Sequence, residues 1–176
     1  FGTTKTVAAM YRQGSPQALL GRSGKRAMPS RVMLTKDQKL FTGWDTESLP
    51  GQFDNRVFTI NAIKRSLGKQ GEATWDWWRT SPHEIAALLF GRLKIEVETG
   101  LQMPVNEAVI AIPAHFDTNQ RWAVQQAAEI AGFKVHRLLN EATAAALWYS
   151  QAPHHRDGSI LVFDFGGGTL DVSVVE

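Results

Sequence analysis

The sequence predicts a mixed α/β fold, in which paired strands come first and strands that alternate with helices follow. Short β-type runs broken by Gly, Pro, Asn and Asp occupy roughly the first third of the 176 residues, a pattern typical of an antiparallel meander. Beyond residue 104, apolar strand patterns alternate with helical patterns. Strands in hairpins followed by alternating strands and helices indicate a mixed sheet with flanking helices.

The first third contains the strand candidates, with a turn at Gly14-Ser15-Pro16 between the first two. The candidate strands are residues 6–11, 18–20, 31–35 and 39–42. From Phe58 to Leu67 the pattern becomes helical, and we expect this helix to end at Gly68. Residues 68–80 form a Trp-rich connection in which no period is apparent.

The segment Ser81-Pro82-His83-Glu84 has the features of a helix start. Ser can cap the helix, Pro suits its first position, and Glu lies three residues after the cap. An apolar stripe at helical spacing follows, to about Thr99, and Gly100 is the expected stop. The stripe consists of Ile85, Leu88, Leu89, Leu93 and Val97.

The second half alternates strands with helices. Asp117, with Gln120 at the third position, opens a helix that Ala131-Gly132 closes. Strands are expected at residues 105–112, ended by Pro113, and at 133–138, and an Ala-rich helix at 141–149. Two final strands, 160–163 and 170–175, flank a glycine-rich turn.

Composition and charge exclude several classes of protein. Nineteen basic and 17 acidic residues leave a net charge of +2, which gives no basis for nucleic-acid binding. The basic run from Arg22 to Arg31 lacks interleaved aromatic residues and is expected to be a surface loop. The absence of cysteine suits a reducing cytoplasm. Because no apolar run approaches about 20 residues and no signal peptide is visible, we expect no membrane association.

The stretch Phe163-Asp164-Phe165-Gly166-Gly167-Gly168-Thr169-Leu170-Asp171 has the composition of a phosphate-binding loop. Glycine lets successive backbone N–H groups point toward one anion, and Thr adds a hydroxyl donor. A nearby carboxylate can hold Mg²⁺ or its waters. The alternative is a glycine-rich hairpin without function, but three glycines bracketed by Asp and Thr exceed what a turn needs.

A second, shorter glycine pattern stands at the very start, in Gly2-Thr3-Thr4. It repeats the glycine-plus-hydroxyl arrangement of residues 166–169. Because the chain starts on Phe1, directly inside this motif and without Met, we expect it to be cut at its front.

These motifs resemble the DnaK-type heat-shock protein 70 family in one order along nearly the whole chain. Residues 1–6 are similar to its first phosphate loop, and residues 164–171 to its second. The intervening similarities are Gly24-Lys25-Arg26-Ala27-Met28-Pro29-Ser30, Ile63-Lys64-Arg65-Ser66-Leu67-Gly68, Ile112-Pro113-Ala114-His115-Phe116, Gln120-Arg121 and Leu139-Asn140-Glu141-Ala142-Thr143-Ala144-Ala145-Ala146. The resemblance implies the actin-like ATPase (ribonuclease H-like) fold. Residues 1–158 would be lobe I, with a shortened upper subdomain around 65–104, and residues 159–176 the first hairpin of lobe II, so the domain would be incomplete.

The resemblance also implies a role for particular residues, with ATP or ADP and Mg²⁺ as cofactors. The residues implied to contact the nucleotide are Gly2, Thr3, Thr4, Lys5, Gly166, Gly167, Gly168 and Thr169. Those implied in catalysis are Lys64, Glu141, Asp164 and Thr169, and those around Mg²⁺ and its waters are Asp164, Glu141 and Asp171. Pro113 and Arg121 match a pair that would relay the nucleotide state to the peptide-binding part.

Each of these residues also has an interpretation without function. Lys64 could be a solvated helix lysine, and Glu141 a helix-start carboxylate favoured by the helix dipole. Pro113 and Arg121 could be a strand terminator and a surface arginine. His154-His155 near Asp157 could suggest a metal site, but a solvated Pro-Gly loop is the expected outcome because no third ligand has suitable spacing.

The sequence departs from the family pattern in several places. The aspartate that precedes the first loop in the family would lie one residue before Phe1. Ala142 replaces a proline, and His115 stands where tyrosine is usual. The connection from Gly68 to Ser81 is short and contains Trp75, Trp77 and Trp78, which resembles the HscC-type branch. These tryptophans could form a partner surface, although packing in the core or subdomain is favoured.

The resemblance implies a molecular chaperone that hydrolyses ATP and thereby drives binding of unfolded or extended peptides, in concert with a J-domain co-chaperone. We expect the 176-residue chain alone to have weak or undetectable ATPase activity. The alternatives are a scaffold that binds nucleotide without turnover or a filament-forming actin relative and, third, a sugar or acetate kinase. A P-loop enzyme is excluded because Gly-x-x-x-x-Gly-Lys-Ser/Thr does not occur.

Overall fold

The computed structural model describes residues 1–21, 24–48, 57–69, 73–75, 78–151 and 158–176. Within these ranges the chain forms a mixed α/β structure. The helices are α1 (Pro82–Leu101), α2 (Thr118–Ile130) and α3 (Glu141–Ser150). The strands are β1 (Lys5–Val7), β2 (Ala9–Arg12), β3 (Ser15–Ala18), β4 (Ala27–Pro29), β5 (Arg31–Thr35), β6 (Leu40–Thr42), β7 (Val57–Asn61), β8 (Ala73–Trp75), β9 (Trp78–Thr80), β10 (Glu107–Ile112), β11 (Lys134–Asn140), β12 (Ile160–Phe165) and β13 (Leu170–Val175).

The strands of the first third pair in antiparallel fashion, as predicted, but two details of the prediction are wrong. The strand expected at residues 18–20 lies at Ser15–Ala18, so Ser15 and Pro16 belong to it and not to the turn, and β1 pairs with β4 and not with its neighbour in sequence. β1 pairs with β4, β2 with β3, and β5 lies between β6 and β7. The β2–β3 hairpin turns over Gln13 and Gly14, which both have positive φ (53° and 77°). Two central residues with positive φ match the twist of paired strands, and this favours a tight hairpin.

The helix predicted from Phe58 to Leu67 is wrong. This stretch forms β7, and a short 3₁₀ helix (Ile63–Ser66) follows it. Ala62, between the two, has left-handed backbone angles that end the strand. β7 pairs with β5 along its whole length, so pairing with a distant strand overrides the local helical pattern.

The connection from Gly68 to Ser81 contains a β-hairpin that the sequence pattern did not reveal. β8 and β9 pair antiparallel, with Trp75 opposite Trp78. Trp78 packs against the core, as the core interpretation of the tryptophans expected. Trp77, His154, His155 and Asp157 lie outside the described residues.

The predicted start of α1 is confirmed in detail. The Ser81 backbone N–H donates to the Glu84 carboxylate at 2.7 Å, and the Glu84 N–H donates to the Ser81 hydroxyl at 3.4 Å. This reciprocal arrangement is a capping box. α1 ends beyond the predicted Gly100, because Gln102 takes left-handed backbone angles there.

The second half forms a β–α–β unit. α2 begins with a capping box of Asp117 and Gln120, as predicted, and connects β10 to β11. β10 and β11 are parallel, and Ile112 lies opposite Asn140. Because the carboxyl ends of parallel strands meet at one edge, Pro113 and Glu141 follow at the same end of the pair.

The core lies around α1 and α2, which pack against each other. α2 presents small alanines there, and the largest fully buried side chains include Met28, Leu67, Ile85, Leu89 and Ile112. By contrast, one side of the β12–β13 hairpin exposes apolar residues: Leu161, Phe163, Phe165, Leu170, Val172 and Val174. None of the helices in the described ranges has the length and apolar character that a membrane crossing requires.

Candidate phosphate-binding site

The first glycine turn (residues 2–4) is held in place by Ser30, which follows β4. The Ser30 N–H donates to the Thr4 carbonyl oxygen at 2.9 Å, and its hydroxyl donates to the Gly2 carbonyl oxygen at 2.8 Å. The Ser30 hydroxyl also shares a buried hydrogen bond of 2.9 Å with Thr6. Gly2 has no room for a side chain, because an added Cβ would overlap the Lys5 carbonyl oxygen. The turn therefore has a fixed conformation.

The second glycine turn (residues 166–169) connects β12 to β13. The Gly166 N–H donates to the Thr169 carbonyl oxygen at 3.0 Å, which closes the turn. Phe165 lies opposite Leu170, and the register continues without a break to Ile160 opposite Val175. The strands thus place Gly167 and Gly168 at the tip of a regular hairpin.

The two glycine turns lie against each other. A Cβ added to Gly168 would lie 2.6 Å from Thr3 Cγ2, and one added to Gly167 would lie 2.6 Å from Thr4 Cγ2. Real Cβ atoms do not approach other atoms so closely, so a side chain at either position would have to displace the threonine opposite it. The structure thus brings together the two patterns that the sequence places at opposite ends of the chain.

Lys64 and Glu141 form an ion pair beside the turns. Lys64 Nζ lies 2.5 Å from Glu141 Oε1, and the two side chains are 7% and 22% exposed. The Lys64 ammonium is also 5.8 Å from the centroid of the Phe116 ring. Lys64 is therefore a buried lysine of the 3₁₀ helix, not a solvated one. Gly68, just after this helix, packs against the backbone of Gln120 in α2 and fixes its position.

Phe1, which precedes the first glycine turn, packs against Phe90 of α1, with ring centroids 4.9 Å apart.

Asp164 and Asp171 lie directly opposite each other on β12 and β13. Like charges in such a pair destabilise a hairpin unless something compensates them. Asp171 Oδ1 lies at hydrogen-bond distance, 3.1 Å, from His115 Nδ1. The other carboxylate oxygen, Oδ2, is buried and has no hydrogen-bond partner. An orphaned carboxylate oxygen beside a second carboxylate suits a hydrated cation.

The three carboxylates named for the metal do not form one direct ligand set. Within the described ranges, no three His, Asp or Glu side chains converge closely enough to bind a metal ion. Glu141 accepts a hydrogen bond from Lys64, whereas Asp164 and Asp171 lie opposite each other on β12 and β13. Since Mg²⁺ usually retains several waters, carboxylates at these positions can contact the ion through its coordinated waters.

Comparison with known proteins identifies the family. The model of the family described as "Hsp70 protein" matches residues 72–176, well over half of the chain. The chain belongs to the Hsp70 family. It is 39% identical to the chaperone protein DnaK of Thermoplasma volcanium over 179 aligned positions and 38% identical to that of Thermoplasma acidophilum. These alignments cover 99% of this chain but 29% of each relative, so the chain spans less than a third of their length.

The family is therefore established, whereas the HscC-type branch stays a prediction. Both relatives are named DnaK, and the short connection with its tryptophans remains the feature behind the branch assignment. This Hsp70 chain thus has the two glycine turns in contact, with the Lys64–Glu141 pair beside them.

Arg121 and Pro113 lie on the same edge of the Hsp70 chain as Glu141. The Arg121 guanidinium donates to the carbonyl oxygens of Phe116 and Ala114, at 2.9 and 3.2 Å. It also donates to the Asn140 side chain at 3.4 Å, and Asn140 directly precedes Glu141. Pro113 is buried where β10 ends. Arg121 is thus a half-buried connector between the loop after β10 and the end of β11, and not a freely solvated arginine.

Three residues of this region had no assigned role in the sequence pattern. Ser30 was recognised only as the end of a family-like motif, Arg65 only as a neighbour of Lys64, and His115 only as a departure from tyrosine. Ser30 holds the first turn, Arg65 contacts the second, and His115 contacts Asp171. All three lie in segments that resemble the family, at residues 24–30, 63–68 and 112–116, and only this position in the sequence could have indicated a role in the site.

Proposed function

We propose that the intact protein is an ATP-driven molecular chaperone with an actin-like ATPase domain. Its nucleotide phosphates would bind beside the junction of the two glycine turns, within reach of the backbone N–H groups of both. The observation that carries this proposal is the contact of Thr3 and Thr4 with Gly168 and Gly167, beside a buried Lys64–Glu141 pair. In this proposal residues 1–158 belong to lobe I, with the shortened upper subdomain around 65–104, and residues 159–176 form the first hairpin of lobe II.

The glycine turns would supply fixed donors to the phosphates. Backbone N–H groups of residues 2–5 and 166–169, with the hydroxyls of Thr3, Thr4 and Thr169, would bind the β- and γ-phosphate oxygens. Donors held by the protein cost no reorganisation when charge develops during phosphoryl transfer. Ser30 supports this role because it fixes the first turn by two hydrogen bonds.

Lys64 and Glu141 would position the attacking water. The Lys64 ammonium offsets charge on the γ-phosphate, and Glu141, which already accepts from Lys64, holds that ammonium in place. Glu141 can also accept a proton from water through its second oxygen. Phosphoryl transfer depends mainly on such positioning and charge neutralisation, so few further groups are needed.

Mg²⁺ fits the Asp164–Asp171 pair, where two carboxylates face each other and one buried Asp171 oxygen has no hydrogen-bond partner. When bound, the ion neutralises phosphate oxygens. Asp164 and Asp171, together with Glu141, would hold its coordinated waters. This arrangement agrees with carboxylates that are too far apart to be one direct ligand set.

Pro113 and Arg121 would relay the nucleotide state to a peptide-binding part of the intact protein. Arg121 bonds to the loop after Pro113 and to Asn140, which leads directly into Glu141. A shift of Glu141 on nucleotide binding would therefore move Asn140 and, through the hydrogen bonds of Arg121, the loop after Pro113. We further propose unfolded or extended peptides as clients, a J-domain protein as co-chaperone and the cytoplasm as location; the lack of cysteine agrees with the last of these.

The test is replacement of Lys64 in the intact protein. Lys64→Ala should abolish ATP turnover while Mg·ADP still binds, because the backbone donors remain. Lys36→Ala, at an exposed lysine in the loop after β5, is the matched control and should leave turnover unchanged. If wild-type protein binds nucleotide but never hydrolyses it, the scaffold alternative replaces the enzyme. Unchanged turnover in Lys64→Ala would remove the lysine from the mechanism.

A further inference from the structure

We infer that Arg65 is a phosphate-contacting residue that also holds the second glycine turn in position. This inference rests on the proposed nucleotide site and adds a residue to it. Arg65 follows Lys64 in the 3₁₀ helix, but its side chain is exposed, whereas that of Lys64 is buried. The two neighbouring cations therefore have different surroundings and different chemistry.

The position of Arg65 is set by the second glycine turn. Its Nη2 donates to the Gly168 carbonyl oxygen at 2.5 Å. A Cβ added to Gly168 would lie 2.7 Å from the same Nη2 and 2.6 Å from Thr3 Cγ2. The guanidinium thus lies at the place where the two turns touch, with one N–H committed to the turn.

The charges around the turns distinguish Arg65 from Lys64. Glu141 neutralises the Lys64 ammonium at 2.5 Å. Among the residues that the structure describes, no carboxylate pairs with Arg65, whose bond to Gly168 is to a neutral acceptor. A guanidinium has five N–H donors in a planar fork, and a single bond to a carbonyl leaves the others available. Arg65 is therefore a cation at the turns whose charge is not yet compensated.

A phosphate group is the ligand that this arrangement suits. Its oxygens accept two parallel bonds from a guanidinium, and charge-assisted bonds are stronger than a bond to a neutral carbonyl. Arg65 can keep its hydrogen bond to the Gly168 carbonyl oxygen and donate its remaining N–H groups to an anion beside the junction of the turns. In that position it binds the phosphate directly and holds the Gly168 backbone toward the same anion.

The experiment compares three variants of the intact protein by the Kd for Mg·ATP. Arg65→Gln retains an amide donor for Gly168 but loses the charge, and it should bind about 10- to 100-fold more weakly. Arg65→Lys keeps the charge but loses the planar fork, so its Kd should lie between those of wild type and Arg65→Gln. Arg12→Gln, an exposed arginine at the end of β2, is the matched control and should bind like wild type.

The outcomes separate this inference from the proposed function. If wild type hydrolyses ATP and Lys64→Ala does not, but Arg65→Gln binds Mg·ATP like wild type, the function stands and the role of Arg65 is refuted. If Arg65→Gln and Arg65→Lys weakened Mg·ATP binding equally, the positive charge of residue 65 would contribute nothing to affinity. Arg65 would then only hold the second glycine turn, and the phosphate contact would be refuted. If wild type binds no Mg·ATP, the proposed function and the inference that rests on it fail together.

Discussion

Lys64 Nζ lies 2.5 Å from Glu141 Oε1, although the two residues are 77 positions apart in the chain. The 3₁₀ helix after β7 supplies the lysine, and the first turn of α3 supplies the glutamate. The contact joins the antiparallel first third to the β–α–β second half at the edge where the glycine turns meet.

Breaking this ion pair should destabilise the chain. Glu141→Gln leaves a buried ammonium without its counter-ion, and Lys64→Met leaves a carboxylate in the same position. We expect each to lower the free energy of unfolding by about 3 kcal/mol, and the double variant to cost less than the sum. Urea denaturation of the wild-type chain, the single variants and the double variant measures these free energies of unfolding. Lys25→Met, which breaks an exposed ion pair with Glu47, should cost less than about 1 kcal/mol. Equal costs for Lys25→Met and Lys64→Met would contradict a buried role for the pair.

Only glycine should be accepted at position 168. In Gly168→Ala the new methyl group would lie 2.6 Å from Thr3 Cγ2, so the two turns must separate. We expect a loss of stability of about 1–3 kcal/mol and at least about tenfold weaker Mg·ATP binding. Adding Thr3→Ser removes the opposing methyl group and should restore part of both.

The matched control for this change is Gly91→Ala in α1. No heavy atom lies within 4 Å of an added Cβ at Gly91, and alanine favours the helix. This variant should raise the free energy of unfolding by about 0.5–1 kcal/mol. If Gly168→Ala behaved like Gly91→Ala, the turns would not be in contact in solution.

The facing aspartates, Asp164 and Asp171, should lower the stability of the chain without Mg²⁺ and at the same time bind the ion. Asp164→Asn removes a like charge opposite Asp171, and we expect the chain without Mg²⁺ to gain about 0.5 kcal/mol. The same change should abolish the Mg²⁺ dependence of nucleotide binding in the intact protein. Ser173→Ala, on the same side of the hairpin, should change neither property. A destabilised Asp164→Asn chain that keeps its Mg²⁺ dependence would count against the cation site.

The start of α1 should weaken at acid pH. Hydrogen bonds from the Ser81 backbone N–H, and then from the Ser81 and Thr80 hydroxyls, lower the pKa of Glu84 below its ordinary value of 4.5. A lowered pKa in the folded state means that this contribution is present above pH 4.5 and is lost as the pH falls through the lower folded value. Thermal unfolding from pH 7 to pH 3 should show a steeper acid decline for wild type than for Glu84→Gln. If the unfolding temperatures of wild type and Glu84→Gln fell in parallel between pH 7 and pH 3, Glu84 would not be the source of the acid sensitivity.

Local signals in the sequence predicted the helix starts well. The caps of α1 and α2 depend on side chains three residues apart, as in Ser81 with Glu84 and Asp117 with Gln120. β7 was mistaken for a helix because its pairing partner, β5, lies in a distant part of the chain. The β8–β9 hairpin was missed because each of its strands has only three residues, too few to show a period.

The candidate site was predictable in its parts but not in its assembly. Each glycine turn has a composition that indicates phosphate chemistry, and family resemblance assigned Lys64 and Glu141 to the site as separate residues. The contact of Thr3 with Gly168 and the bond from Arg65 to Gly168 depend on how distant elements pack. No local pattern encodes such contacts.

A single titration tests whether one anion binds to both turns. Every residue from 2 to 4 and from 166 to 169 is Gly or Thr, so ¹⁵N-glycine and ¹⁵N-threonine label every backbone amide of both turns in the intact protein. On addition of Mg·ADP, the amide signals of the two turns should shift together along one binding curve with one Kd. Shifts confined to one turn, or two turns that respond with different affinities, would contradict a shared phosphate site.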